Sequence, residues 1–284
     1  RLNALQKGSD RIGMTNQPYD CIIIGAGVVG SFIARALSRY RLRVLLLDKA
    51  SDVGEGTTKA NSAIIHAGYD AKPGTLKAKL NAAGSALFDQ VCAELDVDFD
   101  RCGSYVVGRG DDDWRTLEDL QHRGIANGIS GLSLISADEM KLREPAIAPD
   151  VVGALYAATG GIVDPFGLCI GAAENAVLNG VELALETEVL DYIWDGRRIA
   201  GVLTNREVYR SSWVIIAAGL WADDLMHKAG LDGFRIIPRK GEYFVLDRVA
   251  AERVRNVLFP CPTPVSKGIL VTRTVHGNVM LGPN

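Results

Sequence analysis

The sequence lacks the long apolar stretches that a membrane-spanning helix needs. Its longest apolar runs, such as VLLL at 44–47 and VIIAAGLWA at 214–222, fall far short of about 20 residues. No secretory signal opens the chain, and a formal net charge of −3 gives no overall attraction to nucleic acid. These absences predict a cytoplasmic protein without a transmembrane segment. A peripheral contact with the inner face of the membrane stays open.

Cysteine is sparse, and its spacing forms no recognisable pattern. The five cysteines are odd in number and include no Cys-x-x-Cys pair, which argues against a disulfide framework and against a zinc site. We therefore expect reduced thiols and no bound metal. The chain also lacks internal repeats and low-complexity tracts. Its 284 residues, 48% of them apolar, suit two α/β domains.

A βαβ pattern begins at residue 20. DCIII at 20–24 is typical of a buried strand, and it is followed by GAGVVG at 25–30. VVGSFIARALSRY at 28–40 has apolar residues at helical spacing, and RVLLLD at 43–48 is typical of a second buried strand. A strand, a helix and a strand within about thirty residues predict a parallel sheet.

The glycines of this unit match a phosphate-binding turn. We expect Gly25 to allow the tight turn, Gly27 to let a pyrophosphate approach the backbone, and Gly30 to let the helix pack on the strand. The helix N-terminus then offers N–H groups to an anion. Asp48 ends the second strand, where its carboxylate can accept hydrogen bonds from a ribose and repel the 2′-phosphate of NADP. A plain structural turn with an exposed acid is the alternative.

The middle of the chain predicts a second domain inserted into the first. We expect a helix from about Thr75 to Leu95, with apolar residues at Leu76, Leu80, Leu87, Val91 and Leu95. DDDWRTLEDLQHRGIANG at 111–128 predicts an amphipathic helix, and the Pro- and Gly-punctuated segment 142–165 predicts an antiparallel sheet. The chain then returns to the first domain. We expect it to form a helix starting at Pro165, a meander turning at 195–196 and a buried strand at 213–218.

We therefore predict an α/β protein in which a Rossmann-like nucleotide-binding domain is interrupted by a substrate domain with a mainly antiparallel sheet. The first domain is expected to span residues 18–98 and 161–232, and the second residues 99–160 and 233–284. Residues 1–17 are expected to be a disordered leader, and the C-terminal part of the second domain is expected to be truncated.

Several motifs resemble one known superfamily. They are the opening fingerprint, Asp48 with Gly54 after it, TTKANSAIIHAG at 57–68 and VIIAAGLWAD at 214–223. These motifs are similar to the motifs of FAD-dependent oxidoreductases of the D-amino-acid-oxidase and glycerol-3-phosphate-dehydrogenase superfamily. The segments at 60–81, 239–247 and 266–284 most resemble its soluble glycerol-3-phosphate dehydrogenase/oxidase branch. Two features depart from that branch: SKG at 266–268 replaces Gly-Lys-Gly, and the chain stops before a further FAD-binding segment.

The resemblance implies FAD as the cofactor, stretched across the first domain. Thr57, Thr58, Asn61 and Ser62 would follow the ribityl and flavin side, although an ordinary polar loop is the alternative, and Val189 would meet the adenine through its backbone. The full set of implied FAD-binding residues is Gly25, Gly27, Val29, Gly30, Asp48, Lys49, Thr57, Thr58, Asn61, Ser62, His66, Val189, Ala218 and Gly219.

The resemblance also implies hydride transfer from a secondary alcohol to flavin N5, which needs a base for the hydroxyl proton. His66, in the flavin-side loop, is our candidate for this base or for a residue that orients the substrate, because imidazole titrates near neutral pH. A hydrogen bond to the cofactor is its alternative role. We expect His122 to be solvated, His227 to cap the C-terminus of a helix and His276 to lie in a turn. An anionic substrate needs cations, and Lys267 is the second catalytic candidate.

Arg239, Lys267 and Tyr69 are the expected substrate-binding residues. Solvated surface charges are expected at Arg273, Lys72, Lys77 and Lys79. The predicted reaction is oxidation of sn-glycerol 3-phosphate to dihydroxyacetone phosphate. The alternatives are an L-2-hydroxyglutarate oxidase or dehydrogenase, whose family shares the HxGxxxxPGxLKAKL-like stretch, a non-catalytic remnant, and a plain NAD-binding dehydrogenase. Oxygen, a quinone and an iron–sulfur partner all stay open as the electron acceptor.

Overall fold

The computed structural model describes residues 17–263 and 268–284. Most of the predicted leader and Lys267 lie outside these residues. In the described part, the helices are α1 (Val28–Leu37), α2 (Leu76–Leu95), α3 (Asp111–Ala126), α4 (Ala137–Arg143), α5 (Pro165–Leu178) and α6 (Ala222–Lys228). Short 3₁₀ turns occupy Thr57–Lys59, Gly219–Trp221 and Arg248–Arg253.

The strands of the described residues follow the same chain order. They are β1 (Tyr19–Ile24), β2 (Val44–Leu47), β3 (Ile64–Ile65), β4 (Phe99–Asp100), β5 (Ser104–Gly108), β6 (Leu132–Ser136), β7 (Gly153–Ala157), β8 (Gly161–Val163), β9 (Glu182–Ala184), β10 (Val189–Asp195), β11 (Arg198–Thr204), β12 (Val208–Ile216), β13 (Phe244–Leu246), β14 (Val257–Pro260), β15 (Leu270–Arg273) and β16 (Val279–Gly282). No helix in this part of the chain is both long enough and apolar enough to cross a bilayer.

Contacts divide the chain into two compact units. The first contains the described part of Arg1–Asn61 together with Pro165–Arg239, and the second contains Ser62–Asp164 and Lys240–Asn284. The first change of unit therefore falls at residue 61, whereas the sequence placed it at 98. The reason is a non-local pairing, because β3 pairs antiparallel with β8 and so joins the second unit.

The first unit is built on a six-stranded sheet with the order β10-β11-β12-β1-β2-β9. Strands β12, β1, β2 and β9 run parallel, and β10 and β11 extend the sheet as an antiparallel meander. The predicted Rossmann-like sheet is confirmed. The glycine turn follows β1, so the sheet brings it beside the carboxyl ends of β2 and β12.

Both faces of this sheet are buried. Ile23 of β1 packs with Ala34 of α1 and Cys169 of α5 on one face. Its neighbour Ile22 packs with Val202 of β11 on the other. Because successive strand side chains point to opposite faces, the continuous apolar run at 20–24 follows from this two-sided burial.

The second unit contains a seven-stranded sheet with the order β13-β16-β15-β14-β5-β7-β6 and a small sheet with the order β3-β8-β4. Only the β14–β5 pair is parallel among the described strand pairs of this unit. Leu117 and Leu120 of α3 pack against Val106 of β5 and Leu155 of β7. The predicted mainly antiparallel sheet is confirmed.

Helix α2 has the predicted extent but a different packed side. It begins after Thr75, whose Oγ1 accepts the N–H of Ala78 at 3.2 Å. The apolar residues noted in the sequence do not form its buried side, because three of the leucines are exposed: Leu76, Leu80 and Leu87. The buried residues are small instead: Ala78, Ser85 and Cys92. Small residues let Arg101 reach the helix backbone, where its Nη2 donates to the Ser85 carbonyl at 2.5 Å.

Candidate active site

Three segments that follow parallel strands meet at one edge of the sheet in the first unit. They are Gly25–Gly30 after β1, Asp48–Lys49 after β2, and Ala217–Gly219 after β12. Backbone hydrogen bonds hold them together: the Gly25 N–H donates to the Leu47 carbonyl at 2.7 Å, and the Ala217 N–H to the Ile24 carbonyl at 2.8 Å. Open α/β sheets bind nucleotides outside the carboxyl ends of their strands.

The three glycines of the turn occupy positions that a larger residue would obstruct. Gly25 has φ +106°, and a Cβ there would lie 2.5 Å from the Ala217 carbonyl oxygen. A Cβ at Gly30 would lie 1.8 Å from the Gly25 carbonyl oxygen. At Gly27 a Cβ would meet Thr58 Oγ1, at 3.2 Å. Glycine therefore keeps the turn tight at Gly25 and Gly30 and leaves the backbone accessible at Gly27.

The N-terminus of α1 is suited to an anion. Gly27 is the N-cap and supplies no side-chain oxygen, and the first turn contains no acidic residue. The Val28 N–H donates to Thr58 Oγ1 at 3.0 Å, which brings the turn at Thr57–Lys59 against the helix start. Val29 follows with an exposed side chain. These features fit the pyrophosphate of a dinucleotide.

Asp48 braces the glycine turn. Its Oδ2 accepts the Ala26 N–H at 2.7 Å, and its Oδ1 accepts the Ala50 N–H at 2.9 Å. Each carboxylate oxygen has a second lone pair, so both oxygens can still accept bonds from ribose hydroxyls. The Asp48 carbonyl accepts the Thr187 N–H at 2.8 Å, which places the start of β10 at Val189 near this edge.

Lys49 and Trp221 form a further contact at the same edge. The Lys49 ammonium lies 3.7 Å from the centroid of the Trp221 ring, a cation–π geometry. Trp221 belongs to the 3₁₀ turn that begins at Gly219, where φ is +55°. Asn61, at the end of the polar loop, donates from Nδ2 to the Thr58 carbonyl at 2.6 Å. The first unit therefore gathers most of the residues that the resemblance assigned to FAD.

The second unit contains a cavity of about 300 Å³ beside His66. The His66 ring stacks on Phe259, with centroids 5.9 Å apart and an angle of 25° between the planes. The Asn81 Nδ2 donates to the His66 carbonyl at 3.3 Å, so α2 supports the loop that carries the imidazole. The polar lining residues are His66, Tyr69, Asp70, Lys77 and Asn81.

Tyr69 lines the cavity but is nearly fully buried. Burial raises the pKa of its phenol well above the ordinary value, and a hydrogen bond with Ser104 partly offsets that effect. The phenol is therefore neutral at physiological pH. The buried ring therefore contributes to the wall of the cavity.

The expected cations have different fates. Lys77 is exposed, as expected for a solvated helix face, and it also lines the cavity beside His66. Arg239 does not line it and is exposed at the end of the first unit. Arg273, expected as a solvated charge, instead forms an ion pair with Asp100. The Arg273 expectation was wrong, because its partner Asp100 is distant in sequence.

The other histidines lie apart from the cavity lining. His227 is in the last turn of α6, and its Nδ1 lies 2.7 Å from Asp232 Oδ1. His276 occupies the turn between β15 and β16, and His122 lies on α3. Across the described residues, no group of three or more His, Cys, Asp or Glu side chains could hold a metal ion.

Comparison with known proteins places this architecture in a family. The family described as FAD dependent oxidoreductase (DAO) matches residues 20–284. The glycerol 3-phosphate dehydrogenase of Caloramator mitchellensis is 49% identical over 268 residues, which cover 94% of this chain and 55% of the relative. The L-2-hydroxyglutarate dehydrogenase of Escherichia coli K12 is 33% identical over 273 residues, which cover 94% of this chain and 64% of the relative. The chain thus spans about half to two thirds of these relatives.

A solved structure agrees with the sequence comparisons. The dithionite-reduced L-alpha-glycerophosphate oxidase from Mycoplasma pneumoniae, with FAD bound, superposes with a TM-score of 0.87 and 32% identity. The match covers 94% of this chain and 71% of that structure. The glycine turn and the edge around Asp48 fit the dinucleotide that the family uses. The chain belongs to the FAD dependent oxidoreductase (DAO) family, as its motifs predicted.

Proposed function

We propose that this chain carries the catalytic region of an enzyme that oxidises sn-glycerol 3-phosphate to dihydroxyacetone phosphate. The observation that carries the proposal is the 49% identity to a glycerol 3-phosphate dehydrogenase across 94% of the chain. Identity to an L-2-hydroxyglutarate dehydrogenase over the same share of the chain is 33%, so that substrate is the second candidate.

The first unit would hold FAD at its sheet edge. Gly25, Gly27 and Gly30 would surround the pyrophosphate, with the N–H groups at the start of α1 directed at it. Asp48 would accept from the adenosine ribose through the lone pairs that Ala26 and Ala50 leave available. FAD, when bound, supplies the acceptor for a hydride at its N5 atom.

His66 would accept the proton of the substrate hydroxyl. Loss of a hydride from an alcohol carbon leaves a positively charged centre unless the hydroxyl proton also departs, so a base must lie beside the oxygen. The imidazole is exposed on the cavity, and stacking on Phe259 restricts its orientation. The neutral form of an imidazole has a ring nitrogen that can accept this proton.

The cavity also favours a small substrate. Its volume of about 300 Å³ is at the lower end of the range for small-molecule sites, about 300–1,000 Å³. A three-carbon phosphate ester suits this space. Tyr69, Arg239 and Lys267 remain proposed substrate-binding residues. The electron acceptor, among oxygen, a quinone and an iron–sulfur protein, and the cytoplasmic location remain predictions from the sequence.

Anaerobic reduction of the FAD-loaded protein tests the proposal. Added glycerol 3-phosphate should bleach the visible flavin absorption within the mixing time of a titration, and L-2-hydroxyglutarate should not. Bleaching by L-2-hydroxyglutarate alone would replace the proposed substrate with the second candidate. A flavin-loaded protein that neither compound reduces would contradict both assignments and favour a non-catalytic role.

A further inference from the structure

We propose that Lys77, with Asn81 beside it, binds the anionic group of the substrate while the substrate hydroxyl faces His66. The proposal rests on the proposed function, because it concerns the same cavity. Lys77, Asn81 and His66 all line this cavity, which lies within the second unit. It assigns the anion-binding role to a lysine other than Lys267.

The position of Lys77 on α2 favours this role. The helix begins at Leu76, so Lys77 and Asn81 lie four residues apart and share one helix face. Asn81 contacts the His66 loop directly, through the 3.3 Å bond from its Nδ2 to the His66 carbonyl. The helix that carries Lys77 is therefore tied to the loop of the base candidate through Asn81.

The charge of Lys77 is not neutralised within the described residues. No carboxylate oxygen there lies within 4.0 Å of its ammonium, and the first turn of α2 contains no acid. Among the described lysines, Lys59 pairs with Glu55 and Lys240 with Glu242, each at 2.5 Å, and Lys77 differs from the other unpaired ones by lining this cavity with His66. An uncompensated cation on a cavity wall is suited to an anionic ligand.

The described lining of the cavity also holds one carboxylate, Asp70, and one side-chain amide, Asn81. Asp70 lines the cavity but forms no ion pair with Lys77 within 4.0 Å. Asn81 can donate to the anion through whichever amide hydrogen the His66 carbonyl does not take.

Rapid mixing of the FAD-loaded protein with glycerol 3-phosphate under anaerobic conditions separates binding from chemistry. In K77Q the Kd of the substrate should rise about 10- to 100-fold, as expected for the loss of a charged hydrogen-bond partner. The limiting rate of flavin reduction should change by less than about threefold, since Lys77 does not contact the reacting carbon. K77R should restore part of the affinity.

Lys79 provides the matched control. It lies on the same helix and is exposed, but it does not line the cavity. K79Q should leave the Kd within about twofold, because an exposed charge away from the ligand is screened by solvent and salt. An equal loss of affinity in K79Q and K77Q would mean general surface attraction and would overturn the proposal.

A binding assay keeps this proposal separate from the identity of the substrate. Inorganic phosphate should compete with glycerol 3-phosphate, and calorimetry should detect its binding to the wild-type protein but not to K77Q. If glycerol 3-phosphate fails to reduce the flavin, the proposed function fails, while phosphate or L-2-hydroxyglutarate binding that depends on Lys77 still supports the anion site. Unchanged affinity of K77Q for all three anions would overturn it.

Discussion

Alanine at position 30 is the substitution that the structure opposes most strongly in the glycine turn. Its Cβ would lie 1.8 Å from the carbonyl oxygen of Gly25 and 3.0 Å from the carbonyl carbon. Both obstructing atoms belong to the backbone, so no side chain can rotate away. Helix α1 would have to move from β1 by about 1 Å or more to restore an ordinary contact.

The size of the effect follows from two opposing terms. Overpacking of a closely packed site costs about 1–3 kcal/mol, and the rigid backbone places Gly30→Ala at about 3 kcal/mol. Replacing glycine by alanine within a helix offsets about 1 kcal/mol of that cost. The free energy of unfolding should therefore fall by about 2 kcal/mol, and the melting temperature by about 4–8 °C.

Gly84 offers the matched control. It also lies within a helix, but a Cβ there would meet nothing within 4 Å. Gly84→Ala should raise the free energy of unfolding by up to about 1 kcal/mol through helix propensity alone. The same substitution should therefore have opposite effects at the two positions.

Thermal unfolding followed by circular dichroism, together with an FAD titration, measures both consequences. Gly30→Ala should melt below the wild type and bind FAD at least about tenfold more weakly, because a displaced α1 no longer presents its N–H groups to the pyrophosphate. If Gly30→Ala melted as high as Gly84→Ala and kept its FAD affinity, the close approach of α1 and β1 at Gly25 would be refuted.

Two further substitutions test other contacts at the sheet edge. Asp48→Ala removes the acceptor of the fully buried Ala26 N–H. The free energy of unfolding, measured by urea titration, should therefore fall by about 1–3 kcal/mol. A variant as stable as the wild type would mean that this hydrogen bond contributes nothing to stability. Trp221→Leu removes the ring beneath the Lys49 ammonium, which should weaken FAD binding by about 2- to 30-fold. Trp213→Leu, at an exposed position of β12, is the control, and an equal loss in both variants would contradict a specific role for Trp221.

Local patterns in the sequence predicted the first unit well. The strand, glycine turn, helix and strand from Asp20 to Asp48 lie within one short segment, and each has its own signal: apolar runs, glycine spacing and helical periodicity. The helix that begins at Pro165 was also visible, because proline at the first helical position and Gly180, with φ +95°, after the last turn bracket it.

Features that depend on contacts distant in sequence were missed. The Ile64–Ile65 strand has only two residues, and its partner lies about a hundred residues later, so the unit boundary at 61 left no local signal. Arg273 pairs with Asp100 across 173 positions. The short helix Ala137–Arg143 was also missed, although Ser136 caps it by accepting the Glu139 N–H.

Lys77 shows the same limit at the candidate site. Lys77 is exposed, as predicted, but no local pattern placed it beside the His66 cavity, because the helix buries small residues rather than its leucines. Which face of a helix packs depends on the shape of the opposing surface, and here Arg101 anchors the side that carries Ser85. Once that face is set, Lys77 and Asn81 lie along the cavity.

The most direct measurement of the central claim is the rate of anaerobic flavin reduction by glycerol 3-phosphate, in single turnovers, for wild-type protein and His66→Ala across a range of pH. We expect the wild-type rate to rise with pH through a single titration as the imidazole loses its proton. His66→Ala should be at least about 100-fold slower and should lack that titration. A variant that reduces its flavin at the wild-type rate, with the same pH profile, would contradict the assignment of His66 as the base.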